Sequence, residues 1–309
     1  MIIPIASLQT DTKINSSYMV ASAEVKQTST KKNYLDLILF DGTDKMNAKV
    51  WNWSSPSIPA AGNIIQVVGK TSTWANKIQL TIDDFRDCPT HNALDFQEKA
   101  KFDVDMYKEQ LEILTNQIES DIMRTLVKKV IADVYPDYVT KPAAKGIHHA
   151  YLSGLLQHSV DVTRTAVAIS NLYNADRDLI IAGGLLHDIG KINTYESNNG
   201  NVEMTFAGQI MDHIALGLVM LSGYADNTNY GAVSAVSHII ASHHGKKEWG
   251  SPVEPVMREA YIIHMADMIN STMNTLDDAN AKAQGNQTDK IYNLGNRAFY
   301  TDNFISSLY

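Results

Sequence analysis

Between residues 17 and 85 apolar and polar positions alternate in short runs: SYMVASAEV, NYLDLILFD, MNAKVWNW, NIIQVVGK and KIQLTIDDF. Each run is rich in Val, Ile, Leu and aromatics, and alternation at period two predicts strands with one buried face. Turn chemistry separates them in STKKN, DGTDK, SSPSIPAAGN and TSTWAN, and DGTD between two such runs is a hairpin signal. Five strands packed so closely suit a small closed barrel better than an open sheet, because closure removes unpaired edges.

From Phe102 onward the period changes. Leu111, Leu114, Ile118, Ile122, Leu126, Val130 and Val134 fall three or four apart, the spacing of one helix face. Further helical stretches are expected around 150–173, 178–189, 206–222, 231–243 and 254–280, with no strand-like run among them. Between the halves lies the polar, Pro89-containing segment DCPTHNALDFQEKAK. The expected fold class is therefore multidomain α and β. A five-stranded β-barrel domain over 1–90 is joined by a linker, 91–105, to an all-α domain over 106–285, and a polar tail, 286–309, has no assigned role.

Composition narrows this picture. A chain of 309 residues, 44% hydrophobic, can bury an ordinary core. The single cysteine, Cys88, rules out an internal disulfide and fits a reducing compartment. There is no basic-then-apolar leader and no apolar run of membrane-spanning length, so a cytoplasmic protein without a membrane partner is expected. Net charge is −8, but residues 1–90 carry nine Lys+Arg against eight Asp+Glu, leaving −9 for the remainder. The barrel is thus electrostatically open to an anionic partner that the whole-chain charge would discourage. All ten histidines lie at or after His91, nine of them at or after His148, and that asymmetry asks for a chemical reason.

The reason lies in the helical half. Metal-ligand residue types recur at expected helix ends: His158 in LLQHS, His187 and Asp188 in LLHDIGK, His213 in IMDHIALG, His243 and His244 in ASHHGK, and Asp267 in HMADMIN. A lone His in an apolar helix is more often a satisfied core residue. Two adjacent pairs, each closing an apolar helix, are hard to explain as packing, since buried imidazole and carboxylate need partners. Imidazole nitrogen and carboxylate oxygen without thiolate suit Mn, Fe, Co, Ni or Zn. Seven ligands are too many for one ion that must leave room for water. They suit two divalent ions, with Asp188 able to bridge them through its two oxygens.

LLHDIGK, with an upstream His and a downstream Asp, resembles the HD-domain metal-dependent phosphohydrolases, and His213, His243 and His244 match their two-metal subgroup. GIHHAYLSGLLQHSVDV, DLIIAGGLLHDIGKI and IIASHHGKKEWGSPVEP, behind a barrel of OB-fold pattern, resemble the YhaM family of 3′–5′ exoribonucleases. The resemblance implies hydrolysis of single-stranded RNA from its 3′ end to nucleoside monophosphates, with Mn foremost among the ions. Single-stranded DNA is left open as a second substrate, and so is a homo-oligomeric state. His158, His187, Asp188 and Asp267 match the basic HD ligand set, and His213, His243 and His244 complete the second ion; which of the adjacent histidines serves which ion stays open. Lys191 falls where such enzymes place a phosphate-contacting cation, and with Asp188 it forms the expected catalytic pair. His148 and His149 match a paired histidine with a substrate-contact or helix-start role. His264 is expected in the core or behind a ligand, and His238 in a structural role.

The barrel carries Trp51, Trp53 and Trp74 with Tyr34, Phe40, Lys31, Lys32, Lys49 and Lys77, a composition that stacks bases in a weakly basic groove. Trp51 and Trp53 are two apart and are expected on one strand face, although at least one could fill the core. Trp249 is the stronger candidate for stacking a terminal base near the metals, with Lys246 and Lys247 guiding phosphates. Two other readings compete: a phosphodiesterase of cyclic dinucleotides or nucleotides, and a non-catalytic single-strand-binding accessory protein. The first lacks the Gly-Tyr-Pro signature of the cyclic-dinucleotide subgroup and has no need of a strand-binding module. The second does not explain a full ligand set.

Overall fold

The computed structural model describes residues 2–74, 77–88, 91, 96, 102–144, 151–198, 201–283 and 285–308. The chain divides into two compact units, Met1–Lys101 with Ser197–Glu203, and Phe102–Glu196 with Met204–Tyr309.

In the first unit, β1 (Lys13–Gln27), β2 (Asn33–Phe40), β3 (Lys45–Trp51), β4 (Ile64–Trp74) and β5 (Lys77–Asp87) close into a barrel in the order β1-β2-β3-β5-β4. All pairings are antiparallel except β3 with β5, the arrangement of an OB-fold. Alternation sends Leu35, Leu37 and Leu39 of β2 into the core beside Val20, Val67 and Leu80. TSTWAN is less of a turn than its polarity suggests. Thr71 and Thr73 are β-branched and pair with Leu80 and Ile78, so β4 runs on to Trp74. β3, by contrast, stops at Trp51, because Asn52 takes a left-handed conformation (φ 56°). Alternation therefore does not carry Trp53 onto the face of Trp51. Instead Trp53 stacks on Phe85 at 5.8 Å and packs against the barrel core. Within the expected polar linker, Phe96 is buried with Met19 and Phe40.

In the second unit, α1 (Val104–Asn116) and α2 (Asp121–Thr140) are separate helices where the apolar spacing predicts one. Ser120 breaks the run: its hydroxyl accepts the Met123 N–H as an N-cap, while Asp178 accepts the N–H groups of Glu119 and Ser120. Downstream come α3 (Gly154–Ser170), α4 (Arg177–Leu186), α5 (Lys191–Thr194), α6 (Phe206–Ser222), α7 (Tyr230–Ser242), α8 (Arg258–Lys282) and α9 (Asp302–Ser306). A hairpin of β6 (Tyr195–Asn198) and β7 (Asn201–Met204), of which Ser197–Glu203 groups with the first unit, is short and polar and escapes the pattern reading. From Leu179 to Leu186 every residue of α4 is buried, with α3, α7 and α8 packed around it. Burial on every side makes this stretch the axis of the unit. Among the described residues no helix is long and apolar enough to cross a membrane.

The break before α2 can be tested. Ser120→Ala should lower the stability of the helical unit by about 1 kcal/mol in chemical denaturation followed by far-UV circular dichroism; an unchanged midpoint would remove the cap's role.

Candidate metal centre

The end of α4 delivers His187 and Asp188 to a point where α3, α6, α7 and α8 also present side chains. Asp188 Oδ2 lies 3.1 Å from His158 Nε2, 3.4 Å from His187 Nε2 and 2.6 Å from Lys191 Nζ. Its Oδ1 faces the other way, 3.5 Å from His213 Nε2 and 3.6 Å from His243 Nε2. Asp267 Oδ1 is 3.2 Å from His158 Nε2. Two ligand groups result, His158–His187–Asp188 and His213–His243–His244, each with its donor atoms within 4.8 Å of one another. Asp188 stands between them with one oxygen toward each.

Close packing makes this convergence achievable. A Cβ on Gly190 would come within 1.9 Å of the His213 carbonyl oxygen and 2.5 Å of Gly217 N, so only glycine lets the turn after Asp188 approach α6. Gly184 likewise admits Thr163 of α3, whose Oγ1 would sit 2.5 Å from an added Cβ.

The imidazoles are also held in one tautomer. Nδ1 donates to the carbonyl of Gly184 in His187 (2.8 Å), of Ile240 in His243 (2.8 Å) and of Trp249 in His244 (3.0 Å). His158 Nδ1 faces the Asn270 amide oxygen at 2.9 Å, and His213 Nδ1 the Asp212 carboxylate at 2.7 Å. Carbonyl and carboxylate oxygens cannot donate, so Nδ1 carries a proton in each ring and Nε2 is the atom turned to the centre, with a lone pair wherever the ring is neutral. Asp212 does this at the cost of its backbone. With φ 59° and ψ 167° inside α6 it lies in a region that glycine alone enters freely, a strain of about 1–3 kcal/mol. Hydrogen bonds from His213 hold its carboxyl down to about 2.

The donor set fits cations. Asp188 Oδ1 and His213 Nε2 are buried and have no hydrogen-bond partner among the described residues, a state that costs about 1–3 kcal/mol per group. Opposing acceptors without a shared proton are what a divalent ion satisfies. On the Oδ2 side burial alone would lower the His158 pKa, but the carboxylates of Asp188 and Asp267 raise it to about 9. A proton there does part of the work of a cation. Burial opposes ionisation of Asp188, yet Lys191 and His187 hold it well below the usual carboxylate range. Burial pushes His243 down, keeping it neutral and able to ligate.

A cavity of about 320 Å³ opens onto this centre, lined by His158, Lys191, His243, His244, Trp249 and Asp267, with His264, Met268 and Ser271 completing its wall. That volume is at the low end of the range for small-ligand sites. Lys246 Nζ lies 4.7 Å over the Trp249 ring; Lys246 and Lys247 are both exposed and outside the lining. His264 donates from Nδ1 to the His243 carbonyl at 2.8 Å, and His238 Nε2 accepts the Val256 N–H at 3.0 Å. On the barrel, Tyr34 and Trp51 pair at 5.1 Å, with Lys49 Nζ 4.9 Å and 5.5 Å over their rings. His148 and His149 lie outside the described residues. Sequence reasoning misses Gly190, Asp212 and Asn270. Asn270 is one turn after Asp267 on α8, a spacing that puts both on one face; the other two are legible only once the backbones are packed.

The HD domain family model matches residues 155–271. A protein of Oceanobacillus iheyensis named 3′–5′ exoribonuclease YhaM is 35% identical over 290 residues, 90% of each chain. Two solved structures cover the barrel region. One is a domain of replication protein A from Methanococcus maripaludis, with 23% identity and TM-score 0.25 over 28% of this chain and 94% of that one. The other is the second OB-fold domain of replication protein A from the same organism, with 17% identity and TM-score 0.25 over 29% and 98%.

Two outcomes follow from the geometry. Gly190→Ala should reduce divalent-ion uptake at least tenfold, measured by equilibrium dialysis, because the added methyl pushes Asp188 from His213; unaltered uptake would show that the close approach is not required. Ion binding must displace the His158 proton, so affinity should weaken as pH falls below about 9 and the uptake should release a proton. Calorimetry in buffers of differing ionisation enthalpy measures this, and heats independent of the buffer would contradict it.

Proposed function

Because this chain belongs to the YhaM family of HD-domain proteins, we propose that it is a metal-dependent 3′–5′ exoribonuclease that hydrolyses single-stranded RNA to nucleoside monophosphates. The observation that carries the reading is a buried carboxylate, Asp188, with one oxygen toward each of two ligand groups whose members line a cavity of about 320 Å³. His158, His187, Asp188 and Asp267 would hold one ion and His213, His243, His244 and Asp188 the other; the donors suit Mn, Fe, Co, Ni or Zn, and Mn is the ion that the family resemblance implies. When bound, the pair would supply Lewis-acid activation of a water nucleophile and neutralise charge on the phosphoryl oxygens.

The chain's own side chains do the rest. Lys191 lines the cavity with its ammonium at Asp188, where a scissile phosphate would enter, and adds positive charge as the transition state develops it. Trp249, half exposed, offers a flat surface for the terminal base, and Lys246 lies against the same ring. Within the cavity lining, the hydroxyl of Ser271 is already committed to the Asp267 carbonyl at 2.9 Å, which argues for water over a covalent nucleophile. The 1–90 domain would grip the strand through Tyr34, Trp51 and Lys49, while Trp53, packed on the core, contributes to the barrel's stability. The 106–285 domain would cut it. A single cysteine, Cys88, suits work in the reducing cytoplasm.

RNA labelled at its 5′ end should give a ladder shortening from the 3′ end with Mn²⁺, and none with chelator. Internal cleavage, or turnover of cyclic dinucleotides alone, would overturn the reading. Asp188→Ala should lose at least about 10³-fold in rate, the scale of removing a central electrostatic element, while retaining strand binding by fluorescence anisotropy. Trp51→Ala should weaken that binding about 5- to 100-fold, one stacked base's worth, and leave hydrolysis of a dinucleotide unchanged; the reverse pattern would sink the division of labour.

A further inference from the structure

The two halves of the metal centre are not alike in charge. The half around His158 and His187 has two carboxylates, Asp188 and Asp267, within 3.4 Å of its imidazoles. At the Nε2 atoms of His213 and His243 the described residues place only the shared Asp188 oxygen, at 3.5 Å and 3.6 Å. Equal affinity for a divalent cation would need a compensating negative charge on the second half.

Asp212 is placed to provide it. Of the five Nδ1 acceptors, those of His158, His187, His243 and His244 are neutral, the Asn270 amide or a backbone carbonyl. Asp212 alone is a carboxylate. Its Oδ1 accepts from both the backbone N–H and Nδ1 of His213, at 2.6 Å and 2.7 Å. Nothing in helix formation calls for an aspartate there, because the backbone conformation is one that glycine would adopt without strain. The side chain must therefore serve something beyond the turn. Gly190 packs on the His213 carbonyl from the opposite side, so ring and backbone are both fixed.

We propose that Asp212 is a positioning residue that orients His213 and, through its Nδ1–H, lends the three-imidazole half the negative charge it otherwise lacks, thereby setting that half's affinity for its cation. A carboxylate behind a ligating histidine raises the basicity of the nitrogen that faces the ion. The proposal rests on the two-ion reading above.

Titration of Mn²⁺ into metal-free protein, followed by calorimetry and by electron paramagnetic resonance, tests it. Wild type should take up two ions and show the exchange-coupled spectrum of an adjacent pair. Asp212→Asn keeps the size and an acceptor oxygen but loses the charge. It should keep one binding step within twofold, weaken the other about 10- to 100-fold, and give a single-ion spectrum at metal concentrations that pair the wild type. Asp212→Gly should show the same selective loss while its metal-free form melts at or above the wild-type temperature, separating affinity from folding. Variants that titrate like wild type, or that weaken both steps equally, would overturn the proposal with the two-ion reading intact. A wild type that binds one ion only would overturn both.

Discussion

The carboxylate of Asp188 is fully buried, turns one oxygen toward His158 and His187, and turns the other toward His213 and His243. A charge in that position is tolerable only if positive partners converge on it, and removing them would leave a loss of several kcal/mol. Lys191 supplies one such partner from the next turn. The imidazoles are set with their Nδ1 protons pointing away and their Nε2 atoms pointing in, an arrangement that makes poor sense for a hydrophobic core and good sense for a pair of cations.

Much of the helical unit follows from delivering that carboxylate. α4 is apolar on every side because it runs through the middle of the unit, and it ends where Gly190 permits contact with α6. His187, Asp188, His243 and His244 lie just beyond the ends of α4 and α7, where a backbone carbonyl one turn back accepts the Nδ1 proton, as Gly184 does for His187 and Ile240 does for His243. His158, His213 and Asp267 instead lie within α3, α6 and α8 rather than at the helix ends their sequence context suggests. Secondary structure thus orients the ligands as well as carrying them.

The barrel was legible because its period-two runs are bounded by turn residues, and the ligand cluster because histidine and aspartate are rare at the ends of apolar helices. What escaped the sequence is physically of another kind. Ser120 splits a continuous apolar spacing by accepting the backbone N–H of Met123, and the break is also held by Asp178, 58 residues away. Asn52 ends β3 by a change of φ that alternation cannot register, and this sends Trp53 to the core beside Phe85. Gly190 and Asp212 look like ordinary loop and helix residues until the neighbouring backbone is in place. Residue type and spacing carry one-dimensional information; close approach and backbone strain arise only from tertiary packing.

Anomalous diffraction from crystals of the Mn²⁺-loaded protein tests the account most directly. Two peaks should flank Asp188, one bounded by His158, His187 and Asp267 and the other by His213, His243 and His244. Loaded crystals with no peak at Asp188, and with those imidazoles still bonded only to one another and to carboxylates, would contradict it.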